Sequence, residues 1–236
     1  MLKVNKSGIA LLLSASALLT ACGGGGGAAP TTPTGPVVST LSFPLQSADK
    51  TIIANGFTKT MLISGTCSGT GSNTASPATT PAVFEGVAGF SSARTITLTF
   101  TNCTPASIAQ TFTAYYDNNY LPHGMNSVGV NYGVFLTPPT IPASVTVGGT
   151  GVIGTETLYT DSTKLVGNGR QDGSYVIEAD TANTAIVNFI WKIYNAAGVL
   201  SSTSQVRFRI AMTGALVPLS EDIQYATGTH LLLTYQ

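Results

Sequence analysis

Charge is scarce in this sequence. Ten basic and ten acidic side chains make up 8% of 236 residues and cancel to a formal net charge of zero. A typical soluble domain carries about 25% charged residues. Nucleic-acid affinity comes mainly from phosphate neutralisation, so a chain this poor in Lys and Arg is excluded from that class. Histidine is rarer still, with His123 and His230 the two present. Catalysis at neutral pH usually draws on His or on perturbed carboxylates. No G-x-S-x-G elbow, H-E-x-x-H helix or Walker loop occurs. Three Cys are too few for a disulfide-dense small scaffold. Strong helix formers are thin: past residue 21 there are four Glu and four Lys. What is abundant is hydroxyl and turn chemistry, with 35 Thr, 21 Ser, 26 Gly and 12 Pro. Apolar content of 43% is too high for a disordered chain.

The N-terminus reads as an address. Lys3 and Lys6 form a positive start, and Ile9 to Leu19 is an apolar run too short for a hydrocarbon core that needs about 20 residues. Residues 1–21 are therefore expected to be an export signal. Leu19-Thr20-Ala21-Cys22 resembles the lipobox of bacterial lipoproteins. The resemblance implies cleavage before Cys22, lipidation of its thiol by acyl chains such as palmitate, and attachment to a membrane. Gly23 in place of Asp implies the outer membrane, with the domain facing the periplasm or the cell surface. Two or more acyl chains give stable anchoring, whereas one gives marginal binding. Residues 22–40, rich in Gly, Pro and Thr, are expected to be a flexible linker. Loss of residues 1–21 removes Lys3 and Lys6 and leaves 8 basic against 10 acidic side chains.

Export places the two other cysteines in an oxidising compartment, so Cys67 and Cys103 are expected to pair. Closing a loop of that length stabilises by roughly 4 kcal/mol in the chain-entropy picture. The intervening 68–82, without a large apolar group or a charge, reads as a loop that needs a covalent staple.

The rest of the chain reads as all-β. Residues 94–101 alternate cleanly, with Ile96, Leu98 and Phe100 on one face and Thr95, Thr97, Thr99 and Thr101 on the other. Asn55-Gly56 between Thr51-Ile-Ile-Ala54 and Phe57 to Ile63 reads as a hairpin turn. Residues 184–194 place Ala185, Val187, Phe189, Trp191 and Ile193 on one face. Glu178 and Asp180, Lys192, and Arg207 and Arg209 fall on the polar faces of successive strands, where opposite charges fix register. No amphipathic helix stands out. Proline is kept out of central strands, so Thr137-Pro-Pro-Thr-Ile-Pro142 marks a boundary. The expected fold is antiparallel and sandwich-like, in two tandem units over 41–137 and 143–236; one larger sandwich is the alternative. Thr-rich faces with little charge leave strand edges poorly guarded, and a monomer or weak dimer is expected.

No catalytic residue, cofactor or metal ligand set is expected. Gly149-Thr-Gly151-Val-Ile-Gly154 matches the dinucleotide pattern but is followed by a strand-like run, so it reads as a turn or bulge. The segment from Tyr115 to His123 stands out. Tyr115, Tyr116, Asp117, Asn118, Asn119, Tyr120 and His123 together suit glycan or protein recognition, because rings stack on apolar faces while amides bond to hydroxyls. A strand end with an Asx turn explains the same residues. The leading expectation is an anchored, non-catalytic envelope protein with a structural or protein-binding role. A glycan-binding module is the second reading and an anchored hydrolase the third.

Overall fold

The computed structural model describes residues 35–236. One helix, α1 (Leu45–Asn55), precedes thirteen strands. They are β1 (Phe57–Gly65), β2 (Gly69–Ala75), β3 (Thr80–Phe84), β4 (Val87–Phe100), β5 (Ser107–Asp117), β6 (Pro122–Ser127) and β7 (Asn131–Phe135). After a long connection follow β8 (Thr150–Tyr159), β9 (Gly167–Ala179), β10 (Thr184–Tyr194), β11 (Leu200–Ala211), β12 (Leu216–Tyr225) and β13 (His230–Tyr235).

The all-β expectation holds, but the strands do not form two sandwiches. From β4 to β13 each strand pairs antiparallel with the next. β13 then pairs with β1, β1 with β2, and β2 with the Arg94–Phe100 part of β4, which closes a barrel of twelve strands. β3 stands outside the ring and pairs with the other part of β4, Val87 to Ser91. The Pro-rich stretch expected to separate two units instead crosses one end of the barrel. There Thr140 N–H donates to the Ile153 carbonyl at 2.8 Å, and Ile141 and Val145 are buried.

The alternation read in β4 gives one inner and one outer face. Leu98 and Phe100 are buried inside, while Thr97 bonds Ser72 at 2.6 Å and Thr95 bonds Thr111 at 3.1 Å on the outer face. The expected charge ladder is present and reaches across a strand. Glu178 on β9 meets Arg207 on β11 at 3.3 Å over β10, with Asn188 of β10 donating to Glu178 at 2.7 Å. Arg209 holds Asp180 through Nε at 2.6 Å and Nη2 at 3.2 Å. Lys192 instead stands opposite Asp172.

An eight-stranded barrel is just filled by its own side chains, and a wider one is not. Here the extra width is taken up by chain inserted at the end that holds the β9–β10 and β11–β12 turns. Phe43 pairs with Val145 through two backbone hydrogen bonds of 2.8 and 2.9 Å, and Leu45 and Ala48 of α1 are buried with them. They join Ile153, Ile177, Ala185, Val187, Phe189 and Ile210 in one interior cluster. A second cluster, with Met61, Ile63, Leu98, Phe100, Leu231 and Leu233, fills the interior toward the opposite end. Fully burying such side chains contributes about 1.5–3 kcal/mol each.

α1 corrects the strand and hairpin expected over 51–63. A helix C-cap and a tight hairpin both use a positive φ at glycine. Gly56, at φ 66°, donates its N–H to the Ile52 carbonyl at 2.9 Å and ends the helix. At the other terminus Pro44 supplies no side-chain cap, and the first turn holds no acidic residue.

The Cys67–Cys103 disulfide is present, with Cα atoms 5.7 Å apart. Residues 68–82 were expected to be a loop; they contain β2 and the start of β3, and the disulfide sits at the end of the barrel where β2 meets β4. The signal, Cys22 and residues 23–34 of the linker lie outside the described residues. The last part of the expected linker docks on the barrel: Val37 N–H donates to the Asp180 carbonyl at 3.1 Å, and Ser39 Oγ to the Ala182 carbonyl at 2.8 Å.

Candidate functional site

Between α1 and the barrel walls lies an interior cavity of about 230 Å³. The periodicities of the surrounding elements build it. Helical spacing of i, i+3 and i+4 puts Asp49, Ile52 and Ile53 of α1 on one face. Strand spacing of two brings Ser92 and Arg94 from β4, and Phe112, Ala114 and Tyr116 from β5. The far wall is Phe189 and Trp191 of β10 with Val206 and Phe208 of β11. The Phe189 and Phe208 rings meet edge to face at 5.9 Å. Gly173, opposite Trp191 on β9, makes room for the indole, since a Cβ there would come 2.4 Å from Trp191 Cζ3.

The two charged groups in this wall are held differently. Arg94 is compensated: its Nε donates to Asn73 Oδ1 at 3.0 Å, and its guanidinium lies 5.8 Å from the centroids of both Phe57 and Phe112. Asn73 in turn donates to Tyr235 Oη at 2.8 Å. This relay satisfies an amide that is fully buried. Asp49 accepts no hydrogen bond from any group among the described residues, and burial alone pushes its carboxyl up to about 7. Burial and the Asp49 charge push the Tyr116 phenol up to about 12, with Arg94 opposing.

Two other carboxylates are paired within the wall. Glu156, 2% exposed, accepts from Gln171 Nε2, and burial pushes its carboxyl up to about 7. Glu221 accepts from Ser204 Oγ at 2.7 Å. Beside the cavity, a groove between α1 and the start of β12 shares Ile52 and Phe57 with it.

The segment from Tyr115 to His123 does not present one face. Tyr115 stacks on Phe84 at 4.2 Å, and His123 meets the same ring edge-on at 6.0 Å, on the outer side of the wall. There the β3–β4 tip is clasped, with Tyr132 donating to Glu85 at 2.7 Å and Lys164 paired to the same carboxylate. Tyr116 points the other way and lines the cavity. Asp117 Oδ1 accepts from the Asn119 and Leu121 N–H groups at 2.8 and 2.9 Å, an Asx turn that leaves Asn118 exposed. Tyr120, at φ 67°, stacks on Phe90 at 5.0 Å with Lys50 5.1 Å from its centroid. The Gly149–Gly154 run opens β8 and carries a register shift between Val152 and Gly154.

Asp49 is absent from the sequence expectations because no helix is read there and the expected strand begins only at Thr51. Arg94 carried a usable signal: it shares parity with Ile96, Leu98 and Phe100, so its charge falls on the inner face. Among the described residues no group of three or more His, Cys, Asp or Glu is placed to hold a metal ion, and no helix is long and apolar enough to cross a membrane. The fold is a closed antiparallel barrel with an internal cavity. Comparison with protein-family models, curated proteins and solved structures finds no match.

Proposed function

We propose that this chain is a lipid-anchored, non-catalytic protein of the bacterial envelope that holds a small molecule inside its barrel. The observation that carries the binding role is the cavity beneath α1, with aromatic walls and one carboxylate left without a partner. Ligand sites are concave, mostly apolar and oriented by a few polar groups, and barrel interiors are a recurrent place for them. The outward ladder of threonines and ion pairs supports a water-facing wall, because a membrane-spanning barrel carries an apolar band outside. The lipobox at Cys22 supports the anchor. Of the segment from Tyr115 to His123, Tyr116 and Pro122 line the cavity.

Two measurements test this reading. Labelled palmitate should enter the chain in cells and be lost in Cys22→Ser; equal labelling of the variant removes the anchor. Trp191 is the single Trp and lines the cavity, so it should transfer excitation to the neutral dye N-phenyl-1-naphthylamine with saturation at one site. Ala114→Leu, which adds bulk inside the cavity, should weaken that transfer. Transfer that does not saturate removes the binding role.

A further inference from the structure

We propose that the cavity beneath α1 selects a cationic ligand, a small organic amine with an aromatic or short aliphatic body, with its ammonium at Asp49. This rests on the binding reading above and names its ligand class. The cavity supplies what such a ligand needs. Phe57, Phe112, Tyr116, Phe189, Trp191 and Phe208 line it, and the faces of aromatic rings carry negative charge density that attracts a cation. Those faces also favour the apolar body and disfavour an anion. Asp49 is the polar group in the wall with nothing to accept from, and a charged donor is the partner it lacks. Arg94, the opposing cation, is already turned to Asn73 and held over two phenyl rings.

The cavity volume sets the size. About 230 Å³ exceeds the roughly 150 Å³ of an engineered apolar cavity that takes benzene. It lies below the roughly 300–1,000 Å³ of drug-sized sites. One ring with a two-carbon amine arm fits that interval. A groove between α1 and β12 borders the cavity at Ile52 and Phe57.

The test uses the full chain in phosphatidylcholine vesicles, with Trp191 fluorescence as the readout. Three isosteric probes are compared at pH 8: 2-phenylethylamine, 2-phenylethanol and phenylacetate. The amine should bind at least about tenfold tighter than the alcohol, since hydrogen bonds to a charged group contribute that much or more. Phenylacetate should be weakest. Asp49→Asn should bring the amine to the affinity of the alcohol. A wild-type titration at pH 5 does not rely on the variant folding. Protonated Asp49, faced by Arg94 from β4 and Tyr116 from β5, should there give the amine no advantage over the alcohol. Equal binding of amine and alcohol at pH 8, or tighter phenylacetate binding, overturns the cation preference and leaves the cavity as a neutral or anionic site. Absence of binding by all three overturns both this inference and the binding reading on which it rests.

Discussion

Two carboxyls inside the barrel, Asp49 and Glu156, are both pushed up to about 7, and they bear differently on the fold. Asp49 lines a cavity, whereas Glu156 is 2% exposed and packed between strands. The ordinary value for Glu156 is 4.5, so folding favours its neutral form. Its contribution to stability is fully present below that ordinary value and is lost as pH rises through about 7. Glu156→Gln removes the charging step. The variant should gain stability relative to wild type on going from pH 5 to pH 8, by an amount on the order of 1–3 kcal/mol. Urea midpoints at the two pH values measure this, and a pH-independent difference would sink the assignment. Glu85 and Asp180 act in the other direction. Lys164 and Arg209 respectively hold them below the usual carboxylate range, so their contributions are lost as pH falls. At this scale the parity of the strands makes much of the interior legible. Arg94 and Glu156 each sit on the parity of buried neighbours, Leu98 and Leu158. Their partners, Asn73 and Gln171, come from other strands, and alternation within one strand carries no record of them.

Among the elements, α1 is the weakest by its own chemistry. It has no side-chain N-cap, no acid in its first turn and no base in its last. What holds it is the burial of Leu45 and Ala48 and the Phe43–Val145 pair in front of it. Short helices owe most of their stability to such packing. Backbone amides of α1 should therefore exchange with solvent faster than those of β10, which is paired on both sides. Hydrogen exchange followed by mass spectrometry checks this, and equal protection would mean the helix is part of the rigid wall. The disulfide acts at the opposite end. Replacing both Cys67 and Cys103 by Ser should cost about 4 kcal/mol, from a sequence separation of 36 residues. Thermal unfolding of the variant against oxidised wild type gives the value, and a loss below about 1 kcal/mol would mean the ring alone sets that end. The pairing of these cysteines is legible because, once the lipobox reading sets Cys22 aside, the two remaining thiols have one way to pair. Asn55-Gly56 is not legible in the same way. Hairpin and C-cap ask the same of glycine, and the contacts of Leu45 and Ala48 with distant strands decide between them.

At the scale of the whole molecule, closure depends on a few backbone approaches between β2 and β4. Gly69 stands opposite Phe100, and a Cβ at that position would lie 1.9 Å from the Thr99 carbonyl oxygen. Gly69→Val should force β2 away from β4 and destabilise the barrel by about 3 kcal/mol. Denaturant unfolding measures the loss, and a change within about 0.5 kcal/mol would show that the ring can relax around the side chain. The individual strands are readable from sequence, but their number in one sheet is not. Alternation reports which residues share a face and says nothing of which strand lies beside which. The Pro-rich stretch near 140 reads as a boundary for the same reason, since proline breaks a strand both between domains and across the end of a barrel.

The pairing of Met61–Gly65 on β1 with Leu231–Tyr235 on β13 has a consequence in time. The ring cannot shut until the last strand of the described chain is available to bridge its neighbours. Until then β1 and β12 both present open backbone to any passing strand. Contacts between residues so far apart in sequence form late and slowly. The chain therefore has to survive an interval as an open, edge-bearing sheet, and its final strand is the gate through which it leaves that hazard.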